Sequence, residues 1–419
     1  MLFDITQYNQ YILFCSLVFF LLVGIYLFKR NYISIIDPLT MHIIWIAGHL
    51  AFLTGYMFKN GISLLPLFFF SNMVLYVFVY KFCLKKASVK LFSKERGKAL
   101  QSKTKKIKYI FLILLVLNIV SKINFFKFIL ANQNVSSWFL YRFTDMQGRD
   151  PLLRILATSS AIFLLFYVFI LFAVLKKWKA FVIIAYGTII LLEVVAGGRS
   201  ILIGVIFSIG LGVFYFSDYF NISDIKKFTR KSIFFVLIAV LTAIIVTSFY
   251  SDEYSLSDGL SIVTNRFLAP GDGLEYYMNY DGLHKIKSGF GEYIYSIFGI
   301  YIKRFTGEEY KNVGLQLSEL VLGDLEFTQG SNYTFLLQVM VLGYGSFIFY
   351  VPFIAFCTAK LRAINFKSLS LLPLSFFLSA TSFLLPEDIE YWFLTIISGF
   401  LLFYIVIYPI NRFKLKFNL

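Results

Sequence analysis

The chain has 419 residues, 59% of them hydrophobic and only 15% charged, with a formal net charge of +16. Soluble domains sit near about 45–50% apolar and about 25% charged, so a chain this apolar needs lipid to cover its core. Disordered, collagen-like and disulfide-scaffold classes are excluded; Cys15, Cys83 and Cys357 all lie in or beside apolar runs, where neither a disulfide framework nor a zinc site is expected.

Crossing hydrocarbon takes ~20 apolar residues. Such stretches run at 11–28, 39–58, 62–79, 109–130, 155–175, 180–196, 201–216, 233–249, 333–356, 368–385 and 391–410, which gives eleven expected transmembrane helices in an all-α, polytopic integral membrane protein. No basic region precedes the first apolar core, so it reads as a retained span rather than a cleaved signal peptide. His42 and His49 lie seven apart on the second span, hence on one helical face, and suit a polar helix–helix contact better than a metal. The fourth span carries Lys122 and Lys127, which either snorkel outward or mark an interfacial helix from Ile123 to Tyr141. The run at 290–302 is apolar but too short to span, and is expected to be interfacial or re-entrant.

Charge placement orients these helices. Residues 81–108 hold eleven bases (Lys81, Lys85, Lys86, Lys90, Lys94, Arg96, Lys98, Lys103, Lys105, Lys106, Lys108) against Glu95. Residues 251–330 hold twelve acids against six bases. Segregation of this kind follows the positive-inside rule, and it explains the basic run without nucleic acid. With eleven spans and the N-terminus periplasmic, every basic cluster falls on the cytoplasmic side together with the C-terminus. Residues 1–419 then form one membrane domain, with a basic cytoplasmic loop at 81–108 and a large periplasmic loop at 251–330 between the eighth and ninth helices.

Function is expected on the outer face, where polar groups concentrate against the membrane. Glu193-Val-Val-Ala-Gly-Gly-Arg199-Ser forms the turn between two apolar helices, with Arg199 at the outer boundary and Glu193 as its alternative ion-pair partner. Arg142, Arg149, Arg154, Arg266, Lys285, Lys287, Lys303 and Arg304 also fall on the side that the positive-inside rule selects against. Arginine's planar fork suits anionic phosphate, which favours Arg199, Arg266 and Arg304 as functional, whereas Lys285, Lys287 and Lys311 read as ordinary ion-pair partners of the loop acids. Asp272 and Glu275, in Pro270-Gly-Asp-Gly-Leu-Glu275, are the first choices for a general base; Glu308, Glu309, Asp324 and Glu326 are further carboxylates. His284, the single histidine of this loop, is either a proton acceptor or a surface residue beside Lys285. No P-loop, G-x-G-x-x-G or G-x-S-x-G motif is present in the sequence, which argues against nucleotide-driven chemistry.

The Gly-Gly-Arg199-Ser turn, together with a polar outer loop feeding Gly330-Ser-Asn332-Tyr-Thr-Phe-Leu-Leu-Gln338-Val-Met-Val-Leu-Gly343-Tyr-Gly345, resembles the O-antigen polymerases (Wzy). An Arg-x10-Gly spacing found in outer loops of some members occurs here as Arg199 to Gly210, running down a helix. The resemblance implies a glycosyltransferase of the bacterial inner membrane. Its substrates would be undecaprenyl-pyrophosphate-linked oligosaccharide repeat units, polymerised at the periplasmic face with release of undecaprenyl pyrophosphate, with no cofactor. A chain-length regulator and a flippase are implied partners beside membrane lipid. On this expectation Arg199, Arg266 and Arg304 stabilise the leaving pyrophosphate and Glu275 or Asp272 accepts the hydroxyl proton. Arg142, Arg149, Arg154, His284, Lys303 and Asn332 would bind substrate, and Tyr276, Tyr277 and Tyr280 would stack on sugars. An O-antigen ligase, or a flippase or transporter of the same glycan lipid, is the alternative.

Overall fold

The computed structural model describes residues 7–31, 34–85, 91–132, 141, 151–196, 201–221, 271–306, 311–323 and 331–412, with scattered positions between 223 and 241. Among these residues the fold is all-helical. Seven helices are long and apolar enough to cross a membrane, or eight if a bent pair counts as one span.

The first three are α1 (Gln10–Phe28), α2 (Pro38–Asn60) and α3 (Leu64–Cys83). Asn9 caps α1 by accepting from the amides of Tyr11 and Ile12; Asp37 caps α2, whose first residue is Pro38, a residue that gives up an amide no helix start can satisfy. Along α1 large side chains stand clear of the protein, with Tyr11 85% and Phe14 67% exposed. A helix so apolar and so little covered by protein fits lipid contact, not a water-facing surface.

After α4 (Lys94–Gln101), the expected fourth span is broken into α5 (Thr104–Val120) and α6 (Ile123–Ala131), bent by 43°. Lys122 sits at this break. It does not snorkel, being buried and paired with Glu193, and a separate helix does start at Ile123, ending at Ala131. α7 (Pro151–Phe169) continues through a π-turn at Ile170–Val174; α8 (Lys179–Val195) and α9 (Ile201–Tyr215) follow. These last two are helical where spans are expected but hold only 17 and 15 residues. The expected span at 233–249 lies almost wholly outside the described residues.

The segment taken as a long periplasmic loop folds, where described, into α10 (Asp272–Asn279), α11 (Gly282–Lys285), α12 (Phe290–Thr306) and α13 (Val313–Leu322). It is no solvated loop. Leu274, Tyr276, Tyr277, Ile286, Tyr293, Ile297, Val313 and Leu317 pack into the same core as α1, α2 and α3. The run at 290–302 is the amphipathic α12, which packs against the helices at Phe335–Leu342 and Ile389–Leu402 and is not one of the candidate spans.

The expected span at 333–356 is two helices, α14 (Phe335–Leu342) and α15 (Phe347–Arg362). Gly343 separates them at φ +120°, a conformation essentially reserved for glycine. α14 is enclosed on all sides: Phe335 through Val341 are all buried. Its Gln338 donates to the Tyr333 carbonyl at 2.9 Å and accepts from the Tyr350 hydroxyl at 2.5 Å, so the one amide in this apolar turn is satisfied at both ends. The next span is also interrupted, with α16 (Leu372–Ala380) and α17 (Leu384–Glu387) flanking residues 381–383. α18 (Ile389–Leu402) runs through a second π-turn, Phe403–Ile407, into α19 (Tyr408–Arg412). A second core gathers α5, α7, α8, α9, α16 and α18 around Phe163, Phe166, Phe376 and Phe377.

Candidate functional site

The bundle has two chemically different ends. At one end the basic termini of the helices meet. Arg362, 1% exposed at the end of α15, donates from Nη2 to both carboxylate oxygens of Asp37 at 2.7 and 2.8 Å and to the Asn31 carbonyl at 3.3 Å. Its guanidinium lies 4.1 Å from the centre of the Phe214 ring on α9. Asn31 in turn donates to the Lys85 carbonyl at 3.1 Å, Arg96 donates to Asn365 at 2.5 Å, and Lys106 reaches the Asn411 carbonyl at 3.5 Å. Nearby, α9 approaches the chain so closely that a Cβ on Gly210 would strike the Ile36 carbonyl. The Arg199-to-Gly210 spacing therefore ends in a packing glycine. The partner of Arg362 lies 325 positions away, and nothing local in the sequence signals it.

At the other end the N-terminal lead of α1 and the C-terminal end of α2 meet α10. Glu275, 3% exposed, accepts from Tyr8 and Gln7, each at 2.5 Å, through Oε1. Lys59 donates to Gln7 at 2.9 Å, and Tyr56 donates to Asn279 at 2.7 Å. Burial, reinforced by the hydrogen bond to Glu275 and its charge, raises the Tyr8 phenol well above its ordinary value. Glu275 is thus engaged as a latch between α10 and the start of α1, a poor arrangement for a base that must reach a substrate.

Asp272 is differently placed. It opens α10, is partly exposed, and its Oδ1 accepts from the Gly273 amide at 2.6 Å, the Asn332 amide at 3.1 Å and the Asn332 side chain at 3.2 Å. Burial pushes its carboxyl up to about 6, Glu275's charge adds to this, and the Asn332 and Gly273 donors oppose it. A carboxylate held near neutrality suits proton acceptance. Gly273 is required here: a Cβ would collide with the Asn332 carbonyl. Asp272 and Asn332, chosen from sequence for different reasons, are therefore brought into direct contact.

The other expected residues separate from this pair. His284 is exposed and bonded to Asp281 at 2.6 Å, the surface arrangement. Tyr276 and Tyr277 are 2% and 3% exposed and belong to the core, which leaves neither ring free to stack on a ligand; Tyr280 is 40% exposed. Arg154 lies in the first turn of α7, and Lys303 and Arg304 in the last turn of α12. Arg142, Arg149, Arg199 and Arg266, with Glu308, Glu309, Asp324 and Glu326, lie outside the described residues. Glu193, proposed as the partner of Arg199, is paired with Lys122.

Two features were missed. Asp388 caps α18, accepting from the Tyr391 amide at 2.9 Å, and burial raises its carboxyl to about 6. Second, α12, α13, the end of α14 and residues 285–287 border an open pocket of about 330 Å³ lined by Lys285, Lys287, Lys311, Glu292, Tyr295 and Gln316, among others. Lys311 does pair with Glu319, at 2.9 Å, as sequence reasoning expected for the loop lysines. The gathering of three lysines around one hollow depends on how α11, α12 and α13 fold together, which no local spacing reveals. Among the described residues no cluster of three or more His, Cys, Asp or Glu is placed to hold a metal ion.

Fold and site together define a class: among the described residues, an all-helical protein with seven or eight helices long and apolar enough to cross a membrane, and a polar, partly open pocket. Beyond that class no family model, no curated protein and no solved structure matches the chain.

Proposed function

We propose that the chain is a bacterial inner-membrane glycosyltransferase that polymerises undecaprenyl-pyrophosphate-linked oligosaccharide repeat units, with the Asp272 end of the bundle on the periplasmic side. On this reading α8, α9 and the 233–249 stretch complete eleven spans, the N-terminus is periplasmic and the basic end faces the cytoplasm. The clustering of Lys85, Arg96, Lys106 and Arg362 at one end and of Asp272, Glu275 and Asp388 away from it supports that orientation.

The observation that carries the proposal is Asp272, a partly exposed carboxylate oriented by Asn332, with its carboxyl raised by burial to about 6. The acceptor hydroxyl gives its proton to Asp272 as its oxygen bonds to the donor's anomeric carbon. The anomeric carbon–oxygen bond to phosphate breaks, and the electron pair leaves with undecaprenyl pyrophosphate. Asn332 fixes the carboxylate's angle, and Arg199, Arg266 and Arg304 are assigned to the leaving charge.

The test is a gel of lipopolysaccharide or capsule ladders from cells with the gene intact, deleted, or carrying Asp272→Asn. Deletion that leaves a single repeat unit, reproduced by a stably expressed Asp272→Asn protein, supports the proposal. Loss of the first unit as well points to ligation or flipping. One observation favours carriage of the same glycan lipid as the second reading: α14 is a buried half-helix cut from α15 at Gly343, a discontinuity that carriers use at their substrate sites. Turnover by purified protein separates the two, since a carrier makes no new glycosidic bond.

A further inference from the structure

We infer that the 330 Å³ cavity binds a carboxylate-bearing sugar, so that the glycan handled by this chain contains an acidic residue. The inference rests on the glycan reading above and names the substrate's chemistry.

The walls of the cavity differ in character. Lys285 and Lys287 flank Ile286, whose backbone is extended, so their side chains project to the same side while Ile286 is buried in the core. Lys311, just ahead of α13, adds a third cation and is held in place by Glu319. Facing them are Glu292, Tyr295 and Ser296, which at spacings of three and four share one face of α12, and Gln316 on α13. The volume falls at the lower end of the roughly 300–1,000 Å³ typical of small-molecule sites.

Even with Glu319 set against Lys311 and Glu292 on the facing wall, the lining keeps a net positive charge, which favours an anion. A bare pyrophosphate is a poor match: the site offers point charges instead of arginine forks, and the Glu292 carboxylate would repel phosphate oxygens. A sugar acid satisfies both walls. Its carboxylate meets the lysines, while Glu292 and Gln316 supply the acceptors and donors that ring hydroxyls need.

The test uses the full chain in lipid nanodiscs and calorimetry with three probes: trigalacturonate, neutral maltotriose and inorganic pyrophosphate. Trigalacturonate should bind saturably. Lys285→Ala/Lys287→Ala should weaken it about tenfold or more, as loss of charge-assisted hydrogen bonds implies, whereas Lys285→Arg/Lys287→Arg should retain it. Maltotriose should give no heat. Equal binding of maltotriose, or indifference of trigalacturonate to the double alanine variant, overturns the inference. Pyrophosphate binding lost in the double alanine variant, with trigalacturonate silent, reassigns the cavity to the lipid pyrophosphate. Binding is read without turnover, so trigalacturonate binding by a protein whose deletion leaves the ladder intact would remove the polymerase reading and keep this one. A collapsed ladder without acidic-sugar binding would do the reverse.

Discussion

The two ends of the bundle treat charge in opposite ways. At the basic end Arg362 and Asp37 are both buried and satisfy each other directly, with Phe214 over the guanidinium and Asn31 closing the network. A charge so enclosed is fixed; it joins α2, α9 and α15 and offers nothing to a ligand. At the far end Asp272 is held by amides and left partly open, and elsewhere Lys285 and Lys287 line an open pocket together with Lys311, which is paired with Glu319. Burial with a partner builds structure, whereas burial without full neutralisation leaves a group whose proton can move.

Substitutions at each end sharpen that contrast. The largest effect is expected at Arg362→Ala. It leaves Asp37 buried without its cation and should cost about 3–5 kcal/mol, read as loss of monodisperse protein on heating in detergent. Arg362→Met with Asp37→Leu should recover most of it. If the single variant is as stable as the parent, the basic end is not the structural clasp described here.

At the other end Asp272→Asn should fold normally, because its oxygen can still accept from Asn332, yet lose about a hundredfold or more in glycan transfer. In the parent, transfer should fall as pH drops through about 6, when Asp272 takes up its proton. Stability should move the other way. A carboxyl raised by folding binds more protons in the folded state between about 4 and about 6, so the fold gains stability as pH falls through that window. Asp272→Asn should flatten both profiles; an unaltered activity profile would remove Asp272 as the base.

Smaller effects test the supports. Gly343→Ala forces a side chain into φ +120° and should cost about 1–3 kcal/mol, measured by thermal unfolding in detergent. Glu275→Gln keeps an acceptor for Tyr8 and Gln7 and should cost only about 1 kcal/mol in the same assay, with transfer nearly unchanged. A hundredfold loss of transfer in Glu275→Gln would promote that residue from latch to base.

Much of the helical pattern was legible in the sequence, because hydropathy over ~20 residues is a local property. α1, α2, α3 and α7 start and stop close to where the apolar runs do. The charge-segregated ends were legible for the same reason. The breaks were not: Gly343 was visible as a residue, but only packing against α3, α12 and α17 makes α14 a separate buried helix. At the site, Asp272 and Asn332 were each picked from local context, whereas their contact spans 60 positions. Glu275 and Tyr276 are buried although the sequence puts them in a periplasmic loop at 251–330. The apolar residues of 271–323 alternate with helical period and bury themselves against α2 and α3.

The central claim is that the Asp272 end makes glycosidic bonds. It is tested most directly by purified full chain in nanodiscs, supplied with lipid-linked repeat units and assayed for chain growth alongside release of undecaprenyl pyrophosphate. The account predicts both products in equal steps for the parent protein and about a hundredfold fewer for Asp272→Asn, at unchanged thermal stability. Equal elongation by the two proteins, or no elongation by the parent with the complete substrate present, would contradict it.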